Sequence, residues 1–106
     1  MSVTTKNPVC QQSLKLLSDY WTMLIIDKLS DRPMRFRDLE QQIEDVNTAT
    51  LTTRLKNMTA VGLVVRIEQS RADVTYELTE LGKQAVPILN AVNNFSDYTE
   101  KHVAKK

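Results

Sequence analysis

The chain has 106 residues, 42% of them hydrophobic and 25% charged, which is ordinary for a soluble globular protein and sufficient for one core. Its 14 Lys and Arg residues nearly balance 13 Asp and Glu residues, so the net charge of +1 does not by itself indicate a nucleic-acid partner. A single Cys and a single His exclude an intrachain disulfide and a Cys/His zinc site, and the sequence contains no glycine-rich phosphate loop or catalytic constellation. We therefore expect a protein that is not an enzyme and that needs no metal or cofactor.

The sequence also contains no recognisable membrane or export segment. No apolar run approaches the roughly 20 residues of a membrane span, and residues 1–10 lack the apolar core of a signal peptide. We expect a cytoplasmic protein without a membrane partner. With only 2 Gly and 3 Pro, the chain should form a single domain over residues 1–106, with frayed tails at 1–7 and 99–106.

Two helices are predicted before the first break in the chain. Pro8 suits the first turn of a helix, and Leu14 and Leu17 form an apolar stripe with Cys10. Cys10 is then expected to be a small buried hydrophobe, with a redox sensor as the alternative. The second helix, residues 20–29, is apolar over most of its circumference and belongs in the centre of the domain. Ser18 or Asp19 can cap it, and its core candidates are Trp21, Leu24, Ile25 and Leu29.

A third helix and a tight turn follow. Asp31, Arg32 and Pro33 interrupt the chain, and Met34-Arg35 predicts a short strand. Residues 36–43 carry apolar side chains at intervals of three and four, which indicates an amphipathic helix with an acidic outer side. Residues 45–47 are then a turn that leads into the next helix.

The helix over residues 47–61 has the pattern of a DNA recognition helix. Leu51, Leu55 and Met58 form its buried seam, Asn47 can cap its start, and Gly62 can end it. The opposite side contains no carboxylate, whereas a solvated helix normally mixes Glu with Lys. Its outward residues are Ala49, Thr53, Lys56, Asn57 and Ala60, with Thr50 and Arg54 on the shoulders. Together with the third helix it forms a helix-turn-helix.

After Gly62, apolar and polar residues alternate along the chain. This pattern predicts a β-hairpin over residues 64–78 with its turn at residues 70–73. We call this hairpin the wing. Arg66 could contact DNA phosphate or pair with Glu77 across the hairpin, and the residues leave both options open. Arg35 could likewise contact phosphate or brace the helix-turn-helix.

One long helix, capped by Thr79, should complete the chain. Its apolar residues recur at near-heptad spacing, and Pro87 lies inside it, where it should cause a bend. The predicted fold class is therefore α+β and mostly helical, a winged helix-turn-helix with a two-stranded wing and a long C-terminal dimerisation helix.

The residues also resemble the HxlR-type transcriptional regulators, which are similar in fold to the MarR regulators. The resemblance covers about residues 8–98, and six segments carry it in order: Trp21-Thr22, Arg35-Phe36-x-x-Leu39, Leu51-Thr52-x-x-Leu55-Lys56, Gly62-Leu63-Val64-x-Arg66, Tyr76-x-Leu78-Thr79-x-x-Gly82 and Pro87-Ile88-Leu89. It implies homodimers that bind pseudo-palindromic operators, with most of the dimer contact made by the first and last helices. Several members sense aldehydes, oxidants or electrophiles, which implies an unidentified small-molecule inducer as a further partner.

The sequence also departs from the family pattern, and two of these departures lie near the N-terminus. Ser18-Asp19-Tyr20 stands where the family usually has Gly-Gly-Lys before the Trp. The family's N-terminal cysteine would fall at Pro8, so Cys10 is displaced by two residues, about 200° around a helix. The redox role therefore does not transfer with the fold.

These observations predict a transcriptional regulator that binds double-stranded DNA as a homodimer, with residues 47–61 in the major groove and the wing on the backbone. The alternative is a winged-helix protein-interaction module without sequence-specific DNA binding. The predicted base readers are Thr48, Thr50, Thr53 and Asn57. The predicted phosphate contacts are Arg35, Arg37, Arg54, Lys56, Arg66 and Arg71. The predicted dimer interface comprises Leu14, Leu17, Leu81, Ala85, Ile88, Leu89, Val92 and Phe95.

Overall fold

The computed structural model describes residues 8–102, and their side chains from Gln11 onward. The expected burial of the Cys10 side chain lies outside this range. The elements in order are α1 (Pro8–Leu17), α2 (Tyr20–Leu29), α3 (Phe36–Gln42), α4 (Thr48–Ala60), β1 (Val64–Ser70), β2 (Asp73–Leu78), α5 (Glu80–Lys83) and α6 (Val86–His102). Within residues 8–102, no helix is both long enough and apolar enough to cross a membrane. The mostly helical winged helix-turn-helix predicted from the sequence is confirmed.

The core is built around α2, as expected, and two of its four predicted core residues, Ile25 and Leu29, are buried. Thr22, Ile25, Ile26 and Leu29 are buried, whereas Trp21 and Leu24 are only half-buried. The sequence could not distinguish these sides because the helix is apolar nearly all round. The buried apolar residues of the whole core are Ile25, Ile26, Leu29, Met34, Leu39, Ile43, Leu51, Leu55, Met58, Leu63, Val64, Leu78 and Ala85.

The ends of α4 have the predicted caps. The Asn47 side chain accepts a hydrogen bond from the Thr50 amide at 2.7 Å. At the other end Gly62 has φ +85°, and the amide of Leu63 donates to the Met58 carbonyl at 2.8 Å. This is a Schellman arrangement, which needs a left-handed residue at the position of Gly62. The start and the end of the recognition helix are therefore determined locally.

The wing is a two-stranded antiparallel sheet whose register runs from Val64 opposite Leu78 to Ser70 opposite Asp73. The connection is thus shorter than predicted, and an irregularity lies between Glu68 and Ser70. Met34 forms only an isolated bridge with Tyr76, not the predicted short strand. Pro33 before it and the start of α3 after it leave no room for a longer strand.

The single bent C-terminal helix predicted from the sequence is wrong, because the chain forms two helices there. α5 ends at Lys83, and the amide of Ala85 donates to the Gly82 carbonyl at 3.1 Å in a tight turn. Pro87 is the second residue of α6, where its missing N–H needs no helical partner, whereas a continuous helix would place its ring against the Lys83 carbonyl. α6 also continues to His102, so Thr99–His102 is helical and not part of a frayed tail.

Gly82 is where α5 packs against the start of the wing. A Cβ atom on Gly82 would lie 2.1 Å from the carbonyl oxygen of Leu63. That oxygen cannot readily move, because it accepts hydrogen bonds from the Thr79 amide at 3.0 Å and the Thr79 hydroxyl at 3.2 Å. Thr79 in turn caps α5 by accepting from the Gly82 amide at 3.1 Å, as the sequence predicted.

We therefore expect Gly82→Ala to lower the free energy of unfolding by about 1–3 kcal/mol, because the added methyl group must displace backbone. The exposed neighbour provides a control, since Lys83→Ala should change stability by less than about 0.5 kcal/mol. Urea denaturation of both variants followed by circular dichroism measures the difference. Equal midpoints for Gly82→Ala and the unsubstituted protein would contradict the close contact between Gly82 and the Leu63 carbonyl.

Candidate nucleic-acid interface

The outward side of α4 is a continuous polar surface. Thr53, Lys56 and Asn57 are exposed, while the seam of Leu51, Leu55 and Met58 on the other side is 0–2% exposed. No acidic residue occurs between Thr48 and Ala60. Because the seam is anchored in the core, this side of the helix points away from the domain and can enter a groove of duplex DNA.

The four predicted base readers are not equally available. The Thr48 hydroxyl donates to the carboxylate of Glu40 on α3, and Thr50 is half-buried beside the cap of α4. Thr53 and Asn57 are exposed, and neither side chain makes a hydrogen bond to another described residue. Their donors and acceptors are therefore available to base edges, whereas the Thr48 hydroxyl already has a partner that joins the two helices of the helix-turn-helix.

Arg54 is held by the carboxylate of Asp19, a residue whose sequence position predicts only a cap of α2. Its Nε lies 2.8 Å from Asp19 Oδ2, and its Nη2 lies 3.2 Å from Asp19 Oδ1. Asp19 also caps α2 by accepting from the Thr22 amide at 2.9 Å. The hydrogen bonds from Arg54, together with those from Thr22, lower the pKa of the Asp19 carboxyl below its usual value, against the opposing effect of burial. No pattern in the sequence indicates this contact, because 35 residues separate the partners.

Two further predicted phosphate contacts also have ion-pair partners. Arg35 Nη2 lies 3.0 Å from Asp73 Oδ1, so Arg35 braces the start of α3 against β2. Arg66 Nη1 lies 2.8 Å from Glu68 Oε1, two residues away on the same strand. Pairing of Arg66 with Glu77 is wrong, because the strand register places Glu77 opposite Val65. Both of these ion pairs are largely exposed, and such pairs contribute little stability.

Arg37, Lys56 and Arg71 remain available. Each is exposed, and no described carboxylate lies within ion-pair distance of any of them. Arg37 and Arg71 line one open cleft of about 570 Å³ together with Arg35 and one carboxylate, Asp38, between the start of α3 and the turn of the wing. Clustered guanidinium groups of this kind suit the oxygens of a phosphate backbone. In the described part of the chain, no group of three or more His, Cys, Asp or Glu residues could hold a metal ion.

A second surface is apolar and lies on α1, α5 and α6. α6 has no buried residue along its 17 positions. Of the residues predicted to form a dimer interface, five are exposed and two, Leu17 and Leu89, are half-buried. Ala85 does not fit the prediction, because it is only 4% exposed and belongs to the chain's own core. The exposed members are Leu14, Leu81, Ile88, Val92 and Phe95.

Comparisons with known proteins identify the family. The model of the HxlR-like helix-turn-helix family matches residues 16–104. A transcriptional regulator of Halalkalibacterium halodurans is 40% identical over 80 residues, which cover 73% of this chain and 71% of that protein. The transcriptional regulator YodB of Bacillus subtilis is 28% identical over 95 residues, covering 88% and 85% of the two chains.

Solved structures agree with this assignment. The reduced form of YodB matches with a TM-score of 0.77 and 25% identity over 93% of this chain and 96% of that one. A quinone-bound YodB structure matches with a TM-score of 0.76 and 28% identity over 87% and 99%. The relatives are transcriptional regulators and not enzymes, which confirms the expected function class. The chain therefore belongs to the HxlR-like helix-turn-helix family, and the protein is a DNA-binding transcriptional regulator.

Proposed function

We propose that the protein binds a pseudo-palindromic DNA site as a homodimer, with α4 in the major groove and the wing on the backbone. The observation that carries this proposal is the outward side of α4, where exposed polar and cationic side chains occur without any carboxylate. A duplex attracts such a surface along its whole length, because every phosphate is negative. Selection of bound sequences from random duplex DNA tests the proposal, and it should return a two-fold symmetric site.

Thr53 and Asn57 are the side chains that read bases in this arrangement. Both are short and exposed, and an amide can both donate to and accept from an adenine edge in the major groove. Thr48 and Thr50 lie at the start of α4, closer to α3, and we assign them contacts at the edge of the site.

Backbone contacts come first from the cations that have no carboxylate partner among the described residues. Lys56 lies on the outward side of α4, and Arg37 and Arg71 lie at the cleft beside the wing. Arg35 and Arg66 can add to this attraction, although each must share its charge with a neighbouring carboxylate. Contacts of this kind fix the orientation of the protein without specifying sequence.

Dimerisation through α1 and α6 would bury the second surface. Val92 is 51% exposed and Phe95 is 71% exposed, and both follow Ile88 along one side of α6. Several large apolar side chains exposed together on a small domain usually mark an interface, and a two-fold interface is self-complementary. The symmetry would place two α4 helices about one turn of DNA apart, roughly 34–36 Å.

The proposal includes a cytoplasmic location and an unidentified small-molecule inducer. The inducer is supported by the quinone-bound structure of YodB, which has the same fold and is 28% identical to this chain. An open cleft of about 610 Å³ between α1, α2 and α4 is lined by Leu81 of the apolar surface and by Asn57 of α4, so a ligand there would contact both functional surfaces.

The wing assignment predicts a uniform effect on DNA affinity. Arg71→Ala should weaken binding to all duplexes alike and lower the slope of log affinity against log salt by about 0.9, because one phosphate contact is lost. Arg32→Ala removes the same charge from an exposed site outside the interface and should leave the slope unchanged. Fluorescence anisotropy over a salt series measures both variants, and an unchanged slope for Arg71→Ala would contradict the wing assignment.

The base-reading assignment predicts a local effect. Asn57→Ala should relax the preference at one or two base pairs of the selected site, at a cost of about 1–3 kcal/mol, and should leave non-specific affinity intact. The exposed Asn93 on α6 gives a matched control, since Asn93→Ala should preserve the selected sequence. The measurement is selection of bound sequences with each variant. If Asn57→Ala selects the same site as the unsubstituted protein, Asn57 does not read bases.

The dimer assignment is tested on exposed positions, so that folding is not affected. The double variant Val92→Asp with Phe95→Asp should sediment as a monomer and lose operator binding, because four charges would oppose each other in the interface. The double variant Asn90→Asp with Asn94→Asp adds equal charge on other sides of α6 and should remain dimeric. Sedimentation equilibrium at micromolar concentration is the measurement, and a stable unsubstituted monomer would contradict the proposal.

A further inference from the structure

The Arg54–Asp19 pair differs from the other ion pairs of the interface in its geometry. Two nitrogens of the guanidinium meet two oxygens of one carboxylate, at 2.8 and 3.2 Å, and the two side chains are 31% and 30% exposed. The carboxylate is itself fixed, because Asp19 Oδ2 also accepts from the Thr22 amide at 2.9 Å and the Thr22 hydroxyl at 2.7 Å. Four donors therefore hold one carboxylate, and Arg54 is attached to a rigid point of the domain.

The place of Arg54 on α4 gives this attachment a consequence for DNA recognition. Arg54 directly follows Thr53 and lies one turn before Asn57. The apolar seam of α4 holds the helix against the core and sets which side faces outward, but apolar contacts are not directional bonds and do not by themselves fix the exact angle of that side. A two-pronged pair to the body of the domain has a defined direction and opposes such a rotation.

We propose that Asp19 is a positioning residue for base readout: through Arg54 it sets the rotation of α4 about its own axis, so that Thr53 and Asn57 meet the base edges. Arg54 then acts inside the protein, and its charge is not one of those that contact phosphate. Asp19 also lies between α1 and α2, so the same pair ties α4 to the helix assigned to dimerisation. This inference rests on the proposed function, since it concerns how that interface is oriented.

A different role for Arg54 would leave a different signature. If Arg54 released Asp19 and moved to a phosphate on binding, loss of the Asp19 charge would free the guanidinium and strengthen binding to every duplex. A role in stability alone would lower affinity for all duplexes in proportion to the loss of folded protein. Only a positioning role predicts a loss of affinity that is confined to the preferred DNA sequence.

The test measures affinities for the selected operator and for a scrambled duplex over a salt series. The variants are Asp19→Asn, which keeps a capping side chain, Arg54→Gln, and the two combined. We expect each single variant to lower the ratio of operator to scrambled affinity by about tenfold or more, the size of one lost base contact. The combined variant should lower this ratio no further than either single variant, because both remove the same ion pair. The salt slope of Arg54→Gln should equal that of the unsubstituted protein.

Ile26→Val is the control for stability, because it trims one methyl group from a fully buried side chain of α2 and leaves all four donors to Asp19 in place. It should lower the melting temperature and keep the affinity ratio. An equal loss of the affinity ratio in Ile26→Val, an unchanged ratio in Asp19→Asn, or a salt slope lowered by about 0.9 in Arg54→Gln would each overturn the inference. If the unsubstituted protein itself prefers no sequence, the proposed function fails and the inference fails with it.

Discussion

The apolar seam of α4, formed by Leu51, Leu55 and Met58, is buried against α2. Ile25 and Ile26 of α2 are completely buried at the centre of the domain. The burial of each such side chain contributes roughly 1.5–3 kcal/mol, so the seam of α4 cannot leave the core without unfolding the domain. The opposite side of α4 is thereby directed outward. The caps at Asn47 and Gly62 set where this outward side begins and ends, and the wing follows directly because the chain reverses at Gly62.

Ion pairing within the chain, more than the net charge, decides which cations are available at the surface. The net charge of +1 conceals a division between arginines that have carboxylate partners and cations that have none among residues 11–102. Arg35, Arg54 and Arg66 are engaged within the chain, and Arg37, Lys56 and Arg71 face solvent around the wing and α4. A nearly neutral protein can therefore still present a cationic surface locally, which its net charge does not reveal.

Most of the fold could be predicted from the sequence, because hydrophobic periodicity and capping residues are local features of the chain. The seam of α4, the caps at Asn47 and Thr79, and the alternation in the wing depend on neighbours within about four residues or on a single hairpin. The outward side of α4 could be predicted for the same reason, since a helix with one apolar seam has a defined opposite side. Thr53 and Asn57 follow from it directly.

Tertiary structure decided the features that depend on residues far apart in the chain. Asp19 and Arg54 are 35 residues apart, and Arg35 and Asp73 are 38 apart, so neither pairing has a local pattern. The inward side of α2 was ambiguous because its neighbours, and not its own composition, select which apolar side chains are buried. Likewise Ala85 has the spacing of an interface residue, yet it is buried because the chain turns between α5 and α6. Sequence period specifies which side chains share one side of a helix, whereas only packing specifies what lies against that side.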